Sequence, residues 1–205
     1  MNFRKLFPVL LIIFSLTSCA SRYKMIEPAG INYLSVKENN GVKFEYKYDL
    51  LSKKYAKKEE KRDVRVVAVK VTNNSGRDLR FGDDLKLSYE NGNIIYVMDS
   101  ENTFKTIKQS TATYLLYLLL TPMNLTSTET NNGVTETETI FPIGLIVGPG
   151  VTAINMITAN TSNNKFKREL TEYNINGEVI KNGETKYGLI GIRSKTYDAL
   201  MLKME

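Results

Sequence analysis

Histidine is absent from this 205-residue sequence, and cysteine occurs once, at position 19. Without imidazole there is no Ser-His-Asp or Cys-His machinery, no ordinary zinc or copper site, and none of the commonest general base at neutral pH. A lone thiol closes no internal disulfide. Carboxylate-pair chemistry survives these absences, because it needs two acids held several ångströms apart and nothing else. The acids here are scattered over strand surfaces and loops, and no cluster sits on an apolar background that would raise a pKa. The expectation is a non-enzymatic protein with no catalytic residue, no metal and no organic cofactor.

Apolar runs long enough to span a bilayer are lacking as well. The first run, Leu6 to Leu16, is broken by Pro8 and Ser15 and follows Arg4 and Lys5. It is about half of the roughly 20 residues that a spanning helix requires, which makes it a charged n-region and a short h-region of a cleaved secretory signal. The run closes on Leu16-Thr17-Ser18-Cys19. A branched apolar residue, two small ones and a cysteine resemble the lipobox of bacterial lipoproteins. That resemblance implies diacylglyceryl transfer to the Cys19 thiol, cleavage between Ser18 and Cys19, and N-acylation of the new amine. Several acyl chains anchor stably where one does not. Ala20 follows the cysteine in place of an acidic retention signal, so the resemblance implies the outer membrane, with the periplasmic face of the inner membrane as the alternative.

Acyl groups on Cys19 would be the chain's covalent lipid and would consume its one thiol. The sequence carries 28 basic and 22 acidic residues. Removal of residues 1–18 takes Arg4 and Lys5 and no acid, leaving 26 against 22, or +4. Outside the cytoplasm such a balance suits solubility or anionic headgroups and wall polymers, with no nucleic-acid partner. About 185 residues remain, enough for one domain with a sizeable core.

Residues 19–29 mix small, charged and proline positions without a period and read as a tether; residues 30–205 read as the domain. Ile31 to Val36 leads through Asn39-Asn40-Gly41 into Phe44, Tyr46, Tyr48 and Leu50, which alternate with Lys43, Glu45, Lys47 and Asp49. Period-two alternation across a turn that tolerates positive φ predicts a hairpin. Val64 to Val71 is apolar on both faces and rich in β-branched residues, as in a central strand. Leu85-Lys86-Leu87-Ser88-Tyr89, Ile94 to Val97, Lys186 to Ile192 and Ala199 to Met204 read as further strands. Six or more short strands separated by turn chemistry predict an antiparallel sandwich.

A Val-rich strand closed by Val71-Thr72-Asn73-Asn74-Ser75-Gly76, a Leu-x-Leu-x-Tyr strand, and Gly183-Glu184-Thr185 before a glycine-containing strand resemble immunoglobulin-like domains of secreted bacterial lipoproteins. The resemblance spans about half of the mature chain. It implies a mainly β, immunoglobulin-like antiparallel sandwich acting as an interaction module, and no catalytic residues.

From about 110 to 170 the pattern breaks into an apolar, helix-containing insertion. Tyr114 to Leu120 is continuously apolar, Thr126 to Thr139 is almost wholly threonine, glutamate and asparagine, and Ile140 to Ala159 is apolar again. The first piece is too short to span a membrane, and the second reaches about 20 residues only by including Pro142, Pro149, three glycines and Asn155. Gly144 and Gly148 have GxxxG spacing, which would admit another backbone if the segment were helical. Val151, Ile154, Ile157, Phe166 and Leu170 recur at helical spacings and Lys165 and Glu169 form an i,i+4 pair, predicting a helix over about 151–170 whose apolar stripe packs on the sandwich. The stretch around Asn132-Gly133 reads as an exposed hairpin tip.

Lys53 to Arg62, six basic residues against two acidic, reads as a solvated loop between strands. Together these features point to a membrane-anchored binding or structural module with an envelope protein partner. The alternative is a carrier of a small apolar ligand under residues 114–159, and Tyr114, Tyr117, Phe141 and Ile154 are the candidate apolar surface for either role.

Overall fold

The computed structural model describes residues 19–205; the expected signal segment 1–18, with Ser18 of the cleavage site, lies outside the described residues. In chain order the elements are β1 (Ser35–Asn39), β2 (Val42–Lys47), α1 (Lys53–Arg62), β3 (Val64–Asn73), β4 (Leu79–Arg80), β5 (Leu85–Tyr89), β6 (Val97–Met98), α2 (Ser100–Ile107), a 3-10 helix (Ala112–Leu120), β7 (Leu125–Asn131), β8 (Val134–Phe141), α3 (Gly144–Glu172), β9 (Val179–Ile180), β10 (Thr185–Arg193) and β11 (Leu200–Met204). Among the described residues the fold is mainly antiparallel β with three α-helices. It divides into two compact units, one of residues 19–22 with Gln109–Thr161 and one of Tyr23–Lys108 with Ser162–Glu205. The first is called the insertion unit below and the second the sheet unit; α3 contributes to both.

The sheet unit is built on a five-stranded sheet in the order β1-β2-β3-β10-β6, antiparallel at each pairing. Side chains alternate across a strand, so a strand with apolar residues on both faces must be covered on both. β3 meets that requirement. Val67, Val69 and Val71 enter a cluster with Phe44, Tyr46, Leu85, Leu87, Leu200 and Leu202, which brings the β5–β11 pair over one face. Val64, Val66 and Ala68 enter a second cluster with Tyr55 of α1, Phe104 and Ile107 of α2, and Phe166 and Leu170 of α3. Strands cover one face and helices the other.

Glycines in β10 set how closely both covering layers approach, Gly191 on the helical face and Gly188 on the strand-covered one. A Cβ at Gly191 would lie 2.1 Å from Thr103 Oγ1 of α2, and one at Gly188 would lie 2.6 Å from Ile175 Cβ. The β1–β2 hairpin turns at Asn40 and Gly41, both at positive φ (48° and 77°), as its turn sequence predicts.

Several local expectations are corrected. Lys53–Arg62 is a helix, not a loop: Tyr55 and Glu59, four residues apart, are buried while Lys53, Lys57, Lys61 and Arg62 stay exposed. The charge run concealed one inward stripe. β1 begins at Ser35, so Ile31–Leu34 is not strand, and the Ile94–Val97 strand shrinks to Val97–Met98 plus a bridge from Ile94 to Ser88. Helix α2 was not foreseen, although its start is written in the sequence: the Asp99 side chain caps it by accepting from the Asn102 N–H at 2.8 Å. The expected helix 151–170 is longer, Gly144–Glu172, and contains Pro149.

Candidate functional site

The residues read as a tether are hydrogen-bonded along much of their length. In the insertion unit, the Ala20 N–H donates to Asn155 Oδ1 (2.5 Å), and Asn155 Nδ2 donates to the Val151 carbonyl (2.8 Å). The side-chain amide of Gln109 meets both backbone groups of Ser21: the Ser21 N–H donates to Oε1 (2.9 Å) and Nε2 donates to the Ser21 carbonyl (2.6 Å). An amide that satisfies donor and acceptor together fixes the segment as a neighbouring strand would. Cys19, one residue earlier, is exposed.

In the sheet unit the same segment meets Glu169, which is 1% exposed. Its Oε2 accepts from the Tyr23 hydroxyl (2.6 Å), and its Oε1 accepts from the Ile26 and Glu27 N–H groups (2.8 Å each). Charge-assisted bonds of this kind compensate a buried carboxylate. Burial, and then Glu169, push the Tyr23 phenol far above its ordinary pKa. The expected surface pairing of Glu169 with Lys165 is replaced by these buried bonds, and Lys165 is exposed.

Within the insertion unit the 3-10 helix and the first part of α3 face outward with their largest apolar side chains. A 3-10 helix turns every three residues, so positions i and i+3 share a face. Tyr114 and Tyr117 are buried and Leu120 half-buried, with the tyrosine rings stacked 6.5 Å apart, while Leu115, Leu116, Leu118 and Leu119 are exposed. In α3 the buried positions are Gly144, Gly148, Thr152, Asn155 and Ala159, at spacings of four, four, three and four. Leu145, Ile146, Val147, Ile154 and Ile157 are exposed, the two isoleucines at 66% each. This is the reverse of an ordinary amphipathic helix, in which the apolar stripe faces the core.

The reversal has a steric cause. A Cβ on Gly144 would lie 2.3 Å from the Leu120 and Thr121 carbonyl oxygens, and one on Gly148 would lie 2.7 Å from Thr121 Oγ1. The close approach that GxxxG spacing permits is therefore taken up by the chain's own residues 120–121, and the Gly144 N–H donates to the Met123 carbonyl at 2.8 Å. Of the stripe expected to pack on the sandwich, Phe166 and Leu170 are in the core of the sheet unit. Ile154 and Ile157 are exposed and Val151 is half-buried. The four candidate residues separate in the same way: Tyr114 and Tyr117 are enclosed together, Phe141 and Ile154 face out.

β7 and β8 form a two-stranded ribbon through Asn132-Gly133, both at positive φ, with every residue exposed. Thr126, Thr128 and Thr130 face Thr139, Thr137 and Thr135 across it. Between Lys108 and Lys165 the charged residues are Glu129, Glu136 and Glu138, all on this ribbon. The exposed apolar parts of the 3-10 helix and of α3 before residue 160 thus carry no charge. That surface, beside the exposed Cys19 in the same unit, is the candidate site, and its charge-free sequence was the available signal. Two concavities of the sheet unit, of about 260 and 370 Å³, lie around Ile94, Ile95, Tyr96 and Val97, and no residue of 114–159 lines either.

The class these features define is a mainly antiparallel β protein with a helical, outward-apolar insertion. Comparison with protein families, with curated proteins and with solved structures gave no match.

Proposed function

We propose that the protein is a non-enzymatic lipoprotein of the bacterial cell envelope, held at the outer membrane by acyl chains on Cys19 and acting as a binding or structural interaction module. The observation that carries this reading is the charge-free apolar surface of the unit that also holds Cys19. Large contiguous apolar surface on a folded protein marks contact with another apolar body. The sheet unit is read as an immunoglobulin-like sandwich that presents an interaction surface to an envelope protein. The packing of β5 and β11 over β2, β3 and β10 supports that reading.

The test is metabolic labelling with an alkyne fatty acid, followed by envelope fractionation, for the wild type and Cys19→Ala. The label is expected on the wild type alone, with the variant released from the membrane fraction or retained as unprocessed precursor. A label that persists on the variant would refute the reading.

A further inference from the structure

We propose that the outward apolar side chains of the insertion unit enter the hydrocarbon of the bilayer beside the acyl chains, giving the protein a second, monotopic attachment. The inference rests on the lipoprotein reading for the identity of the occupant: acyl chains on Cys19 place a bilayer at this unit, and no other apolar phase is held there by covalent attachment.

Three observations converge. The anchor residue is not at the end of a free linker, because Ala20 and Ser21 are bonded to Asn155 and Gln109 of the same unit. A lipid on Cys19 is therefore fixed within a residue of α3, where Ile154 stands exposed next to Asn155. The exposed set is large and branched (Leu115, Leu116, Leu119, Leu145, Ile146 and Ile154 among it), and its helices carry no charge before Lys165. Helices whose small and polar residues pack inward while leucine and isoleucine point out match an apolar solvent, because lipid tails reward no burial of leucine within the protein.

The depth is that of a surface-lying element. No helix among the described residues is long and apolar enough to cross a membrane. Interfacial helices sink about 5–10 Å into the headgroup and acyl boundary. Such helices usually carry lysine or arginine for anionic headgroups, and residues 109–164 contain neither. The attachment is accordingly hydrophobic, since the one basic residue of the insertion unit, Arg22, is outweighed by its three glutamates.

The test takes the full mature chain as Cys19→Ala, which bears no lipid, and floats it with vesicles of neutral phosphatidylcholine. It is expected to rise with the vesicles to the same extent in low and high salt, and equally when anionic phosphatidylglycerol is added. The variant L116S/I154S/I157S, altered at exposed positions, should keep its circular dichroism melt and lose about tenfold in vesicle partition coefficient for each side chain removed from the membrane. Protein that remains at the bottom of the gradient overturns the proposal. So does flotation confined to anionic vesicles at low salt, which would assign binding to basic residues of the sheet unit. A dimer that does not float, and that the triple variant dissociates, would give the surface to a second copy of the chain. Failure of flotation with acyl label retained on wild-type Cys19 would strike this inference and leave the lipoprotein reading intact; flotation without any acyl label would do the opposite.

Discussion

Glu59 sits on the inner stripe of α1, is 6% exposed, and accepts the Val66 N–H at 2.6 Å. Burial pushes its carboxyl up to about 7; the Val66 bond and the nearby Arg65 oppose that rise without cancelling it. The folded-state pKa therefore lies above the unfolded one, near 4.5. Between those values the folded chain holds more protons than the unfolded chain, so this group's contribution to stability falls as pH rises from about 4.5 to about 7 and is level beyond. Glu59→Gln, which keeps an oxygen for the Val66 N–H, should flatten that dependence. It should also be more stable than wild type at pH 8, on the order of 3 kcal/mol at most. Urea titrations of both proteins across this range check it, and parallel pH profiles would contradict it. Glu45 behaves in the opposite sense: burial would raise its carboxyl, but Lys70 at 2.8 Å and Lys43 at 3.4 Å outweigh burial and hold it low.

At the scale of elements, β10 and α2 meet through the absence of a side chain. Gly191 is buried and pairs with Val66 of β3 and Met98 of β6, leaving Thr103 of α2 the space a Cβ would fill. Gly191→Ala should destabilise the sheet unit by about 1–3 kcal/mol, as overpacking does in a filled core. Adding Thr103→Ala should recover part of that loss by removing the two nearest atoms. Thermal denaturation of the single and double variants measures the coupling, and strictly additive effects would show that the contact does not matter. The glycine and the helix cap at Asp99 could each be read in the sequence. Their mutual dependence could not, since residues 103 and 191 are brought together by the sheet.

Across the whole molecule, charge and stability are unevenly distributed. Of the residues after position 18, the insertion unit holds Arg22 and three glutamates, a balance of −2; the sheet unit holds the other 25 basic and 19 acidic residues, a balance of +6. The β7–β8 ribbon has both faces exposed, and Glu129 stands directly opposite Glu136. A two-stranded ribbon without a packed face is marginal in water, and like charges across it weaken it further. A glutamate-specific protease should cut at Glu129, Glu136 and Glu138 before any glutamate of the sheet unit, leaving the two large flanking fragments associated under native conditions. Mass spectrometry of a brief digest tests this order; first cuts in α1 or at Glu184 would disprove it.

Strand periodicity determined the β-rich class, the central place of β3 and the asparagine-glycine hairpins, because alternation and positive-φ turns are local properties of the chain. Composition likewise excluded imidazole and disulfide chemistry without reference to any fold. Tertiary structure decided which stripe of a helix faces inward. In α1 it drew Tyr55 and Glu59 out of a charge run, and in α3 it chose Gly144, Gly148, Thr152, Asn155 and Ala159 over the isoleucines. A helical period shows that a stripe exists but not what it meets. Close backbone approach at two glycines and an amide bonded to Ala20 set the orientation of α3, and these contacts join residues far apart in the chain.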